Sequence, residues 1–240
     1  MQQPALHINF LDAIRKACSL VSLSFRCTFI YAFIAALINQ LLAFGLNNTF
    51  SITDSKISIS DPVLFITYLG LLFLEMLFGN CFILVRQNAI LANHQKLSFK
   101  QTLQPILDRF PGIFLSGLAF SLCSIVGMGL HLVPGLIFLT FFYVYLPSLI
   151  FAHKKAFEAW KYSFSLTKKH FFSTLGLVLT SLILLWIPPS VIGLLGDNFN
   201  DSNTYFGLEI TGMILLVSLI ILMMNALNLI WFYLLHQNKQ

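Results

Sequence analysis

The chain has 240 residues, of which 10% are charged and 58% hydrophobic, and its mean hydropathy is +0.83. A soluble domain averages about a quarter charged residues, so 14 basic and 9 acidic side chains are too few to cover a water-facing surface of this size. The composition excludes a soluble globular domain and predicts a single membrane domain over residues 1–240, because no long polar segment remains for a separate one.

Six stretches are apolar and long enough to cross a bilayer, for which a helix needs about 20 residues. They are residues 27–46, 62–85, 112–130, 133–152, 171–195 and 206–235. The third and fourth are joined by so few residues that we expect a tight antiparallel hairpin. Pro188 and Pro189 lack backbone donors and are expected to kink or shorten the fifth. The predicted fold is therefore all-α and polytopic, with six transmembrane helices in three hairpins.

The basic residues are distributed asymmetrically along this layout. Thirteen of the 14 lysines and arginines fall in the N-terminal segment, the links between spans two and three and spans four and five, and the tail, whereas Lys56 stands alone on the other side. Because cytoplasmic loops are enriched in lysine and arginine, both termini are predicted to be cytoplasmic. The first 26 residues lack the pattern of a signal peptide, so we expect no cleaved leader.

The stretches before spans one, three and five predict amphipathic helices at the cytoplasmic interface. The first covers about residues 8–21, with one apolar face formed by Leu11, Ile14, Cys18 and Val21. The second begins at a predicted capping box of Ser98 and Gln101 and is expected to kink at Pro105. The third has an aromatic face of Phe157, Trp160 and Phe164. Such helices either recognise lipid headgroups or only join and anchor the hairpins.

Residues 133–167, VPGLIFLTFFYVYLPSLIFAHKKAFEAWKYSFSLT, carry a family resemblance. They resemble the YciC family of uncharacterised bacterial inner-membrane proteins, although the proline of the fourth span is offset by one residue and the family pattern has no glutamate in the second span. The resemblance implies a six-span fold in the bacterial inner (cytoplasmic) membrane and supplies no activity. The matching residues are Val133, Pro134, Gly135, Pro147, Ser163, Leu166 and Thr167.

Two parts of this motif have a physical interpretation. Pro134 and Gly135 suit a tight turn followed by a helix start, since proline presets φ and glycine accepts unusual dihedral angles. Ser163 and Thr167 are spaced i, i+4 and are predicted to bond backbone carbonyls or to approach a neighbouring helix closely.

Glu75 lies near the middle of the second span, where an ionised carboxylate is costly unless it is paired or hydrated. Its nearby polar candidates are Asn39 and Gln40 on the first span and Asn80 on its own helix. One interpretation is a proton or cation site in a transport path. The other is a protonated carboxyl group that hydrogen-bonds between helices and holds their register.

Asn225 and Asn228, three residues apart on the sixth span, are predicted to bond across the bundle. The four cysteines have no metal-like spacing, and we expect them to be reduced and packed. The sequence shows no catalytic or metal-binding motif, so we expect no enzyme, no metal and no cofactor. Nucleic acid binding is not needed to explain the basic residues.

Two functional hypotheses remain. The first is a non-enzymatic accessory or scaffold in envelope or lipid homeostasis, whose partners are membrane lipids, another membrane protein or a second copy of the chain. The second is a small transporter or channel that uses Glu75 to move a hydrophobic solute or an ion.

Overall fold

The computed structural model describes residues 10–53, 56–93, 95–130, 132–196 and 203–237. Residues 8 and 9 of the first predicted interfacial helix and Lys239 of the tail lie outside them. The elements, in chain order, are α1 (Phe10–Thr49), β1 (Phe50–Thr53), β2 (Lys56–Ile59), α2 (Pro62–Asn93), α3 (Phe99–Leu107), α4 (Phe110–Leu130), α5 (Leu132–Phe142), α6 (Tyr145–Phe151), α7 (Ala156–Thr167), a short 3-10 turn (Lys168–His170), α8 (Phe171–Gly196) and α9 (Asn203–Gln237).

Six helical stretches within this part of the chain are long and apolar enough to span a membrane. They are Phe10–Leu46, Pro62–Ala92, Phe110–Gly127, Leu132–Phe151, Ala156–Trp186 and Thr211–Gln237. The prediction of an all-α polytopic membrane protein is therefore confirmed. A small antiparallel hairpin, β1 with β2, was not predicted; it pairs Phe50 with Ile59 and connects α1 to α2.

The first predicted interfacial helix is not a separate element, because α1 runs without a break through 40 residues. No proline or glycine lies between residues 21 and 27 to end it. At 1.5 Å per residue α1 is about 60 Å long, twice the hydrocarbon core of about 30 Å. A single continuous helix cannot lie flat on a membrane in one half and cross it in the other.

The buried face of α1 also differs from the predicted one. Leu11 and Cys18 of the predicted apolar face are exposed. The face that packs against α2 and α9 is made largely of small residues, which let helices in lipid approach closely. Its members are Ala13, Ala17, Leu20, Ser24, Thr28, Ala32 and Ala36.

Helices α4 and α5 form the predicted tight hairpin and meet at two glycines. A Cβ atom added to Gly127 would lie 3.1 Å from the Cα atom of Gly135, so a side chain there would push the helices apart. Gly135 is buried inside α5, and no described glycine has a positive φ. The predicted turn role of Gly135 is therefore wrong: Pro134 lies in the first turn of α5, and Gly135 allows the close helix contact.

The fourth span is broken between α5 and α6. Pro147 explains the break, because it lacks a backbone donor and its ring crowds the carbonyl group four residues earlier, that of Tyr143. Residues 145–150 are all buried, which places α6 in the core of the bundle. The hydroxyl groups of Ser163 and Thr167 on α7 donate to the Phe141 carbonyl at 3.0 and 2.9 Å. The predicted bonding of these hydroxyls to backbone carbonyls is confirmed.

The predicted aromatic face of α7 is divided between the surface and the bundle, because Trp160 is partly buried against Phe138 and Phe142 of α5. Phe157 and Phe164 are exposed, whereas the side facing the bundle consists of Ala159, Ser163, Leu166 and Thr167. Short side chains on that side bring the backbone of α7 near α5, so the hydroxyls can reach the Phe141 carbonyl.

Several local predictions concern helix boundaries. The capping box at the start of α3 is confirmed: Ser98 Oγ accepts from the Gln101 backbone, and Gln101 Oε1 accepts from the Ser98 backbone at 2.9 Å. Helix α8 continues through Pro188 and Pro189 to Gly196, so the prolines do not shorten the helix there. All four cysteines are free, but Cys18 and Cys123 are exposed, so the expectation that all were packed is wrong.

Candidate functional site

Glu75 is held by a side chain of the neighbouring helix. Asn39 Nδ2 on α1 donates to Glu75 Oε2 on α2 at 3.2 Å. Gly79, one turn further along α2, leaves space for the carboxyl group, since a Cβ atom there would lie 3.3 Å from Glu75 Oε1. Among the described residues, no lysine, arginine or histidine lies within ion-pair distance of Glu75. The structure therefore brings together Glu75 and Asn39 of the four predicted site residues.

The other two predicted site residues do not join this pair. Gln40 is half-buried and does not hydrogen-bond Glu75. Asn80 follows Glu75 by five positions, which rotates it by about 140° around a helix of 3.6 residues per turn. Its Oδ1 atom accepts from Asn225 Nδ2 at 2.8 Å instead. The predicted single polar site is thus two sites on different faces of α2, and helical rotation was the signal that could have separated them.

Glu75 lines an elongated groove between α1, α2 and α3 with a volume of about 510 Å³. Apart from Glu75 and the aromatic body of Tyr31, its walls are aliphatic, phenylalanine and glycine side chains, such as Ile38, Leu71 and Phe99. The stretch of α2 that lines the groove, from Leu71 to Phe82, covers about 16 Å at 1.5 Å per residue. The groove is therefore apolar, follows about three turns of α2 and has one carboxyl group on its wall. We call it the Glu75 groove.

Arg86 lies next to one end of the Glu75 groove, where it contacts three helices. It was predicted to be one of the charges of the link between spans two and three, but α2 continues to Asn93 and Arg86 is only 7% exposed. Its Nε atom donates to the Cys27 carbonyl at 3.1 Å, and Nη1 donates to Thr102 Oγ1 at 3.3 Å. The guanidinium also stacks 4.4 Å from the centre of the Tyr31 ring. Arg86 therefore joins α1, α2 and α3.

Arg109 has a similar structural role at the end of α6. Its Nη1 atom donates to the carbonyl oxygens of Leu149 and Ile150 at 2.6 and 3.0 Å, and Nη2 contacts His153 Nδ1. A cation at a helix C-terminus satisfies carbonyl groups that have no intrahelical partner. Hydropathy and charge counts do not distinguish arginines that bond to helix backbones from loop charges.

The chemistry available at the Glu75 groove is apolar recognition combined with one carboxyl group. Among the described residues, no group of three or more histidine, cysteine, aspartate and glutamate side chains is placed to hold a metal ion.

Comparisons of the chain with protein-family models, curated proteins and solved structures find no match.

Proposed function

We propose that this protein is a non-enzymatic accessory or scaffold in envelope or lipid homeostasis that holds a phospholipid acyl chain in the Glu75 groove. The observation that carries the proposal is the groove itself, about 510 Å³ of space with almost entirely apolar walls. A hydrocarbon chain gains dispersion contacts from such walls along their length.

The charge near the groove supports a phospholipid as its occupant. Phe99 and Leu103 of α3 line one end of the groove; the exposed Lys100 follows Phe99 directly in the chain, and the exposed Lys96 precedes it by three residues. Juxtamembrane lysines attract anionic headgroups by about 1 kcal/mol each. An acyl chain in the groove would therefore place its phosphate near two cations. We also propose, from the distribution of basic residues and the YciC-like motif, a bacterial inner membrane with both termini in the cytoplasm.

The test compares two tryptophan substitutions on α1. Ile38→Trp adds bulk inside the groove, whereas Leu41→Trp adds it at an exposed position that does not line the groove. After purification in mild detergent, we expect the wild type and Leu41→Trp to retain phospholipid and Ile38→Trp to lose most of it, as measured by mass spectrometry of the extracted lipid. Equal retention by all three proteins, or none by the wild type, contradicts the proposal.

A second candidate function is transport, favoured by one specific observation. Glu75 and Asn39 form a polar pair between two helices in a region that is otherwise apolar. Intramembrane carboxyl groups of this kind mark ion and proton paths in many transporters. In proteoliposomes, a transporter would show proton or solute flux that falls in Glu75→Gln. Identical background flux for both proteins would remove this candidate.

A further inference from the structure

A second cavity lies on the opposite face of α2 from the Glu75 groove. It has a volume of about 350 Å³ and is lined by residues of α2, α4, α5, α6, α8 and α9. This is within the usual size of small-molecule sites, about 300–1,000 Å³. Its wall contains no charged or histidine side chain among the described residues. Its polar residues are Asn80, Asn225 and Asn228, which carry carboxamides, and Ser121, Tyr143, Tyr145 and Ser181, which carry hydroxyls. We call it the asparagine cavity.

Most of these polar groups already have partners. Asn225, which is 5% exposed, donates to Asn80 Oδ1 at 2.8 Å and to the Ile221 carbonyl at 2.9 Å. Tyr143 and Ser181 hydrogen-bond each other at 3.2 Å, and Ser181 is 4% exposed. These contacts fix the wall of the cavity through side chains on α2, α8 and α9 and on the link between α5 and α6. The site is therefore preformed, since its shape does not depend on an occupant.

Asn228 Oδ1 is different because it is buried and has no hydrogen-bond partner. An unpaired buried acceptor is costly, and the hydrocarbon around a membrane bundle supplies no water to satisfy it. The other buried unpaired atoms, on Gln87, Ser124 and Trp160, belong to residues that do not line this cavity. Asn228 thus lines the cavity and holds an unused acceptor just behind its wall, so a rotation of the carboxamide would turn that oxygen toward an occupant.

We infer that the asparagine cavity binds a neutral amphiphile, a lipid-like alcohol whose hydroxyl group donates a hydrogen bond to Asn228 Oδ1. The apolar side chains that line most of the cavity, such as Phe73, Leu77 and Leu139, receive the hydrocarbon body. The uncharged wall selects against a carboxylate or an ammonium group, because burying either without a partner costs several kcal/mol. A hydroxyl satisfies the free acceptor without bringing a charge.

The test uses two photoactivatable probes of equal chain length, a diazirine-bearing fatty alcohol and the corresponding fatty acid at pH 8. The intact protein is reconstituted in phosphatidylcholine nanodiscs, irradiated, digested and mapped by mass spectrometry. We expect the alcohol to label peptides of the cavity wall at least fivefold more than the acid. Asn228→Leu keeps a similar side-chain size but removes the acceptor, and it should lower alcohol labelling about five- to tenfold.

Two further variants separate a binding role from a structural one. Ser121→Leu places a larger side chain in the cavity and should abolish labelling. Asn39→Leu makes the same asparagine-to-leucine exchange at the Glu75 groove and should leave the labelling of the asparagine cavity unchanged. If Asn228→Leu does not remain monodisperse, the alcohol-to-acid ratio of the wild type decides by itself. Equal labelling by the two probes, labelling unaffected by both cavity variants, or no labelled cavity peptide overturns the inference.

Discussion

The two faces of α2 differ in the kind of polar group that they hold within the membrane-spanning bundle. On the face of the Glu75 groove, the carboxyl group of Glu75 is paired with Asn39, and the surrounding walls are largely apolar. On the face of the asparagine cavity, all side chains are uncharged, yet one acceptor, Asn228 Oδ1, is left unpaired. The groove is therefore suited to an apolar chain that makes few polar contacts. The cavity is suited to a molecule that carries a hydrogen-bond donor.

The largest expected effect comes from putting a carboxylate on the neutral face. Asn228→Asp should lower the free energy of unfolding by about 3 kcal/mol, the cost of a charge near the middle of a transmembrane helix. Glu75→Asp, which keeps a carboxyl group on the groove face, should cost less than about 1 kcal/mol. Unfolding in mixed micelles titrated with sodium dodecyl sulfate measures both. Equal losses would mean that the two faces do not differ in their tolerance of charge.

A smaller effect is expected from the contact that joins α2 to α9 in the cavity wall. Asn80→Leu and Asn225→Leu should each destabilise the bundle, and the double variant should cost less than the sum of the two. We expect a coupling free energy of about 0.6 kcal/mol and no more than about 1.7 kcal/mol, as for other interhelical hydrogen bonds in membranes. Additive losses would show that the 2.8 Å contact contributes nothing to stability.

Two glycines of α2 test the packing around Glu75. Gly70 has nothing within 4 Å of an added Cβ atom, so Gly70→Ala should be neutral or stabilise by up to about 1 kcal/mol through helix propensity. Gly79→Ala should have a free energy of unfolding about 0.5–1 kcal/mol below that of Gly70→Ala, because its methyl group crowds Glu75 Oε1 at 3.3 Å. The difference between their free energies of unfolding is the measurement. A Gly79→Ala protein as stable as Gly70→Ala contradicts the described position of the carboxyl group.

The smallest effect is expected from Glu75→Gln. The new amide oxygen can still accept from Asn39 Nδ2, so stability should change by less than about 0.5 kcal/mol. Asn39→Leu removes the donor and should cost more than Glu75→Gln. The reverse order, measured by the same unfolding titration, would show that the pair depends on a charge.

Hydropathy was sufficient to predict the six spans. Lipid offers no hydrogen-bond partners to the backbone, so an apolar segment of this length satisfies its own backbone groups by forming a helix. The Ser98–Gln101 capping box was also predictable, since both of its hydrogen bonds are local in sequence. Ser163 and Thr167 illustrate the limit. Their spacing predicted bonds to carbonyl oxygens, but the acceptor, Phe141, lies more than twenty residues away in the chain, and no local pattern encodes that distance.

The candidate site was predicted only in part for the same reason. Asn39 and Glu75 were correctly brought together from their similar depth in neighbouring spans. Asn80 was assigned to the wrong face, although its rotation relative to Glu75 is computable from the sequence. The unpaired oxygen of Asn228 could not be predicted, because it depends on how the side chains of several helices fill the bundle.

The environment of Arg86 has a consequence for comparing related sequences. Its guanidinium uses different nitrogens for the Cys27 carbonyl and for Thr102, while its flat face covers Tyr31. A lysine has the same charge, but its ammonium group is compact and cannot reproduce the planar, forked geometry. An Arg86→Lys exchange is therefore a non-conservative replacement in this fold. In an alignment, arginine at this position together with a hydroxyl residue at position 102 is a more specific marker of the α1–α2–α3 arrangement than hydropathy alone.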